Sequence, residues 1–218
     1  MHDRTVAPAQ QLARLVESPA PGRWGWSALP RATEGEHRRL RPSAVLVLAA
    51  PSGDGDLAFL LVQRSRRMHH HPGELSFPGG GIDPGEGPVE AALRECREET
   101  GLIVPPQHVL GTLPALHVRV SGNVVTPVLA WSPHEVHEHG PAEARDLESD
   151  AVGWFSRHRL AHPDRRVMVA DGKGFTGPGF LTDGGVIWGF TGNVLDWILR
   201  ETGWERPWDG GRTHRISP

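Results

Sequence analysis

Three glutamates, Glu95, Glu98 and Glu99, follow one another at a spacing that can set their carboxylates side by side. Positions i, i+3 and i+4 are neighbours on a helix, so residues 88–100 projected at about 100° per residue share one acidic arc. Left unneutralised, such an arc costs roughly 0.2–0.5 kcal/mol for each like-charged i,i+4 pair. A hard divalent cation removes that cost. Mg²⁺ prefers oxygen ligands, keeps several waters, and takes one or two carboxylates together with substrate phosphates. The chemistry open to this arc is therefore metal-assisted attack of water on a phosphate or diphosphate. The same spacing also suits a solvated face with Glu90–Arg94 and Arg94–Glu98 ion pairs, and spacing alone does not choose between the two.

A second arc carries Val89, Leu93 and Cys96, with Thr100 beside them, and is expected to face the core. Ala91 and Ala92 fall in and beside the acidic arc, where small side chains would leave space above it. Cys96 on the packing arc reads as a small buried hydrophobe, not as a nucleophile. Pro88 sits in the first turn, and Gly101 stands where a left-handed C-terminal cap belongs. Upstream, Phe77-Pro78-Gly79-Gly80-Gly81 forms a passage whose glycines allow the backbone to approach metal or phosphate closely.

From Gly80 the chain runs five residues to Glu86 and seven more to Arg94-Glu95-Cys96-Arg97-Glu98-Glu99-Thr100-Gly101-Leu102. This resembles the Nudix box, G-x5-E-x7-R-E-U-x-E-E-x-G-U with U a bulky apolar residue, at every fixed position, with Cys96 at the first U. The resemblance implies the α/β fold of that family: a Nudix α/β/α sandwich with a mixed β-sheet between helices. It also implies a diphosphate hydrolase that depends on Mg²⁺ or Mn²⁺. Glu95 and Glu99 would be the principal metal ligands, Glu98 a further ligand or the general base, and the Gly80 carbonyl a completing ligand. Glu86 and Arg94 would pair to brace the loop against the helix. A base from a later loop, Glu143 or Glu148, is the alternative to Glu98.

The segment Leu60-Leu61-Val62-Gln63-Arg64-Ser65-Arg66-Arg67-Met68-His69-His70-His71-Pro72-Gly73-Glu74-Leu75-Ser76-Phe77-Pro78-Gly79-Gly80 leads into the box. It is similar to the signature of coenzyme A pyrophosphatases, L-L-T-x-R-S-x3-R-x3-G-x3-F-P-G-G, with its spacing kept throughout. Val62 stands for the Thr and His69 for the second Arg, which exchanges a fixed charge for one that depends on pH. The resemblance implies substrate contacts from Arg64, Ser65, Arg67, His69 and Gly79. It implies hydrolysis of coenzyme A, and of acyl derivatives, to 4′-phosphopantetheine and adenosine 3′,5′-bisphosphate. Two alternatives stay open: another substrate such as ADP-ribose, NADH or a nucleoside triphosphate, and a non-catalytic Nudix-like binding module.

These groups need a scaffold, and 218 residues can bury a full core. A short amphipathic helix is expected over Gln10 to Glu17, and strands over Ser43 to Ala50 and Leu57 to Gln63. Further strands are expected over Val109 to Val118, Val124 to Trp131, Ala151 to Phe155 and Arg166 to Ala170. Val186 to Thr202 reads as a closing helix, and Gly210 to Pro218 as a tail that frays. The organisation is thus an N-terminal extension over 1–40, a Nudix domain over 41–206 and a tail over 207–218. The tryptophans at 24, 26, 131, 154, 188, 197, 204 and 208 read as core or helix anchors.

A net charge of −3 provides no field for nucleic acid or an anionic membrane, so the expected partner is a small nucleotide substrate of the coenzyme A class. Homodimerisation is compatible with the sequence. The longest apolar run, Ala44 to Ala50, falls well short of the roughly 20 residues of a membrane span. With no secretory h-region and one cysteine, the expected location is cytoplasmic.

Overall fold

A computed structural model of the chain describes residues 7–17, 40–53, 55–64, 74–118, 121–137, 142–143, 149–172 and 174–216. The apolar stripe near the N-terminus forms α1 (Pro8–Glu17), which buries Leu12 and Leu15. Next come β1 (Arg41–Ser52) and β2 (Asp56–Arg64), an antiparallel pair in register from Ala49↔Phe59 to Ser52↔Asp56. Two short strands follow, β3 (Leu75–Ser76) on β2 and β4 (Gly79–Gly81) on β1. The acidic helix is α2 (Pro88–Thr100), bounded by Pro at its start and Gly101 at its end.

The sheet continues with β5 (Val109–Thr112), β6 (Leu116–Val118) and β7 (Asn123–Trp131), then β8 (Ala142–Glu143) and β9 (Ser149–Ser156). Its order is β5-β7-β1-β2-β9-β8, with β1 and β7 parallel and the other pairs antiparallel. After α3 (Arg157–Leu160) come β10 (Arg166–Ala170), β11 (Thr176–Thr182), β12 (Gly185–Ile187), α4 (Gly189–Glu201) and β13 (Thr213–Arg215). The four late strands make a second sheet in the order β12-β11-β10-β13.

The central strands are apolar on both faces because both faces are covered, as alternation of side chains requires. Val47 and Ala49 of β1, with Leu57, Phe59 and Leu61 of β2, pack toward α1, α4 and the second sheet. Their neighbours Ala44, Leu46, Leu48, Ala58 and Leu60 pack toward α2. The result is the helix–sheet–helix sandwich expected from the box. Among the described residues, no helix is long and apolar enough to cross a membrane.

Several expectations need correction. The single strand over Val109 to Val118 is two strands, interrupted at Leu113-Pro114-Ala115, where Leu113 N–H instead reaches the Pro127 carbonyl. The closing helix begins at Gly189, not Val186, because Gly185–Ile187 pairs with β11 as a strand. Thr213–Arg215 does not fray but runs parallel to β10. Strand β11, written Thr-Gly-Pro-Gly-Phe-Leu-Thr, carries two strand-disfavouring residue types and gave no signal. Its Gly179 has a packing reason: a Cβ there would lie 2.4 Å from Val169 Cγ2 and 2.9 Å from the Ile187 carbonyl oxygen.

Candidate active site

Helix α2 lies on β1 at a separation set by methyl groups. Ala91, Ala92 and Cys96 are fully buried against Ala44, Leu46 and Leu48. This corrects the helical projection in one respect: the alanines do not leave open space above the acidic arc but form the contact itself. Val89 and Leu93, expected at the centre of the packing face, are only partly buried. Glu99 is consequently drawn inward, 8% exposed, while Glu98 remains on the outer side with half of its side chain in solvent. Cys96 sits in the core as expected, and burial pushes its thiol up to about 11, with the nearby Glu99 charge adding to the shift.

The helix ends are fixed locally. Gly101 takes a left-handed conformation with φ 74° and donates its N–H to the Arg97 carbonyl. Thr100 Oγ1 donates to the Cys96 carbonyl at 2.6 Å and accepts from Leu102 N–H at 3.1 Å. Pro88 at the start loses no helical hydrogen bond, because the first N–H groups have no intrahelical partner.

The three consecutive glycines each meet a different environment. A Cβ on Gly79 would fall 2.4 Å from the Ala44 carbonyl oxygen and 2.6 Å from Val45 Cα. On Gly80 it would fall 2.4 Å from Glu95 Oε1, and on Gly81 it would meet nothing within 4 Å. Gly79 therefore lets β4 close on β1, and Gly80 lets the Glu95 carboxylate lie against the backbone. The Gly79 N–H donates to Glu99 Oε2 at 3.0 Å, which ties the glycine passage to the helix directly.

Arg94 is the hub of the outer side. Its Nε and Nη2 donate to the two oxygens of Glu86, both at 3.0 Å. Nη1 donates to Glu95 Oε1 at 2.8 Å and to Glu98 Oε2 at 3.2 Å, and Nη2 also reaches the Gly81 carbonyl at 2.9 Å. Glu86 accepts in addition from Asp83 N–H at 3.1 Å. The Arg94 guanidinium, followed by that N–H, holds the Glu86 carboxyl below the usual carboxylate range. The same contacts, Glu86 first and then Glu95, raise the pKa of Arg94 further.

Four of these links were not read from the sequence: the Gly79–Glu99 hydrogen bond, the Asp83 N–H on Glu86, and the Arg94 bonds to Glu95 and to the Gly81 carbonyl. Motif spacing fixes side-chain types and carries no signal for backbone N–H directions. Among the described residues, no three His, Cys, Asp or Glu side chains converge as a preassembled metal cage. The donor set is nevertheless all oxygen, and Gly80 leaves room that a Cβ would fill beside Glu95. That fits a hard cation held by few carboxylates and otherwise by water and substrate oxygens. Of the expected substrate residues, Gly79 is in the site and Arg64 ends β2. Ser65, Arg67, His69 and Glu148, like Trp24 and Trp26, lie outside the described residues, as do the side chains of Arg64 and Glu143.

A family model described as the NUDIX domain matches residues 39–172, well over half of the chain. The chain belongs to the Nudix hydrolase family. The mouse (Mus musculus) protein named mitochondrial coenzyme A diphosphatase NUDT8 is 34% identical over 174 residues, covering 74% of this chain and 79% of its own. The human (Homo sapiens) protein of the same name is 34% identical over 178 residues, covering 74% and 70%. Among solved structures, a Nudix hydrolase from M. smegmatis, RenU, is 25% identical with a TM-score of 0.47, covering 77% of this chain and 88% of its own. As a Nudix hydrolase the chain is an enzyme acting on acid anhydrides of phosphorus, and the carboxylates of α2 lie within the matched region.

Proposed function

We propose that this Nudix hydrolase cleaves the diphosphate of coenzyme A and of acyl-coenzyme A, giving 4′-phosphopantetheine, or its S-acyl form, and adenosine 3′,5′-bisphosphate. The observation that carries the reading is the Gly79 N–H donated to Glu99. It joins the last part of the coenzyme A signature, Phe77-Pro78-Gly79-Gly80, to the acidic helix, so substrate segment and carboxylates share one backbone junction. The names of the mouse and human relatives support the same substrate.

In this reading Glu95 and Glu99, with Glu98 and the Gly80 carbonyl, hold Mg²⁺ or Mn²⁺. The ion, when bound, neutralises diphosphate charge and lowers the pKa of attacking water. Arg94 positions Glu95 and Glu98 and is itself oriented by Glu86. Glu98, the most exposed of the three carboxylates, has the access to solvent that a general base for water needs. Gly79, whose N–H is taken by Glu99 and whose bare α-carbon faces β1, joins the substrate segment to the acidic helix. Arg64, Ser65, Arg67 and His69 supply cations and hydrogen bonds for the phosphates beyond those that metal neutralises. A cytoplasmic or other reducing compartment suits the lone buried Cys96.

The test is chromatographic detection of the two cleavage products, with Mg²⁺ or Mn²⁺, across coenzyme A, 3′-dephospho-coenzyme A, acetyl-coenzyme A, NADH and ADP-ribose. Preference for the substrates carrying a 3′-phosphate is expected. Equal turnover of coenzyme A and its 3′-dephospho form, or faster turnover of ADP-ribose, overturns the assignment.

A further inference from the structure

A guanidinium has five N–H groups, and in Arg94 each has an acceptor. Nε and one Nη2 hydrogen go to Glu86, the other Nη2 hydrogen goes to the Gly81 carbonyl, and the two on Nη1 go to Glu95 and Glu98. No donor is left over. Glu95 or Glu98 can turn toward a cation only by sharing or releasing its bond to Nη1. The Arg94 charge then loses part of its compensation, so what takes up that charge decides how readily the carboxylates turn.

Asp83 stands where it can do so. Its Oδ2 lies 3.9 Å from Arg94 Nη2, within ion-pair range but beyond a hydrogen bond. Among the described residues it is the one carboxylate paired with Arg94 that takes none of its N–H groups. The Asp83 side chain is 73% exposed, so its place is set by the backbone and not by packing. Asp83-Pro84-Gly85-Glu86 is a tight turn, closed by Glu86 N–H on the Asp83 carbonyl at 3.0 Å, with Gly85 at φ 88° as its third residue. Asp83 N–H returns to Glu86 Oε2 at 3.1 Å, and Ile82 N–H reaches the Pro42 carbonyl of β1 at 3.1 Å. The turn is thus anchored on both sides, beside Arg94, with an exposed carboxylate that has room to close the remaining gap. Glu90 makes the contrast: one turn ahead of Arg94 on α2, it forms no ion pair with it among the described residues, and its carboxylate lies over Gly87.

We propose that Asp83 is a positioning residue for the metal site, acting through Arg94: it takes up the Arg94 charge as Glu95 and Glu98 turn to the ion, and so raises metal affinity. The inference rests on the proposed function only in taking Glu95 and Glu98 as metal ligands. It is independent of which diphosphate is the substrate.

The test is Mn²⁺ binding to the substrate-free protein, read from the electron paramagnetic resonance of the unbound ion, with melting temperatures alongside. Wild type is compared with Asp83→Asn, Glu90→Gln and Glu95→Gln. Asp83→Asn keeps the backbone bonds of the turn and removes only the charge. Its Kd for Mn²⁺ is expected to rise about three- to five-fold, the size of an exposed ion-pair effect, at an unchanged melting temperature. Glu90→Gln removes the same charge from α2 without touching Arg94 and should stay within about 1.5-fold of wild type, since separated exposed charges are screened. An unchanged Kd in Asp83→Asn overturns the proposal, as does a rise accompanied by a lower melting temperature. An equal rise in Glu90→Gln also overturns it, because net charge and not Arg94 would then be the cause. Glu95→Gln separates the proposal from the reading beneath it. Retained Mn²⁺ binding there removes the ligand set and the proposal together, whereas loss there beside an unchanged Asp83→Asn removes the proposal alone.

Discussion

Arg94 grips Glu86 through two parallel hydrogen bonds, Nε to one carboxylate oxygen and Nη2 to the other, each 3.0 Å long. With Nη1 it reaches Glu95 and Glu98, so one guanidinium orients three carboxylates and the Gly81 carbonyl. A lysine offers a point charge and cannot reproduce that fork. Arg94→Lys is expected to lower kcat roughly 10- to 100-fold and to weaken the half-saturating Mg²⁺ concentration, as loss of a partner that orients metal ligands does. Full activity in Arg94→Lys at limiting Mg²⁺ would contradict the role given to the hub.

The same pair makes stability depend on acid. Arg94 first, and then the Asp83 N–H, depress the Glu86 pKa in the folded protein. A depressed carboxylate contributes stability above its unfolded pKa of about 4.3 and loses it as pH falls through the folded value. Wild type should therefore melt above Glu86→Gln near neutral pH, and the gap should narrow only in the acid range below about pH 4.3. A gap that stays constant down to acid unfolding would refute the linkage.

Gly79, Gly80 and Gly81 should fail in three different ways when changed to alanine. At Gly79 the new methyl meets backbone of β1 that cannot move aside, so Gly79→Ala should cost roughly 1–3 kcal/mol of stability in urea unfolding. At Gly80 it meets the Glu95 carboxylate, the movable end of a side chain. Gly80→Ala should melt near wild type yet lose most metal-dependent turnover, because the carboxylate is displaced. At Gly81 there is open space, and Gly81→Ala should differ little from wild type in melting temperature.

How much of this was readable in advance depends on what kind of information each feature needs. The ends of α2 and the burial of Cys96 follow from local residue types and helical period, and Pro88, Gly101 and Cys96 stand where that reasoning puts them. The partnership of Arg94 with Glu86 came from the motif. The depth of Glu99 did not, because it depends on how closely Ala91 and Ala92 let the helix approach β1, a tertiary distance. The second sheet was half visible. Arg166–Ala170 has a strand composition, whereas β11 and β13 are strands only because neighbours supply their hydrogen bonds.

Glu99 offers a separation of charge from fold. Its carboxylate accepts the Gly79 N–H, and a glutamine has a carbonyl oxygen that can accept the same bond. Glu99→Gln is therefore expected to fold and melt close to wild type in the absence of metal. Metal-assisted hydrolysis should fall by at least about 100-fold, since charge stabilisation by the ion is worth several kcal/mol and each 1.4 kcal/mol is tenfold. Retained turnover in Glu99→Gln would remove Glu99 from the metal set.

Arg166 tests what holds the C-terminal segment. It is fully buried, with its guanidinium 4.6 Å from the ring centres of both Phe180 and Trp208. Its Nη2 donates to Asp196 of α4, and Glu205 lies 3.8 Å from Nη1. Desolvation lowers its pKa, against the pull of Asp196 and Glu205. Arg166→Met keeps bulk between the rings but leaves Asp196, among the described residues, with the ion pair to Arg200, whose Nε is 3.0 Å away. Breaking a buried pair by removing one partner typically costs about 3–5 kcal/mol, so a loss near the lower end is expected in urea unfolding. Because Trp208 precedes β13, amide exchange at Thr213–Arg215 should accelerate more than exchange in β1. Uniform acceleration across both sheets would instead mean that Arg166 supports global stability without clamping the C-terminal segment.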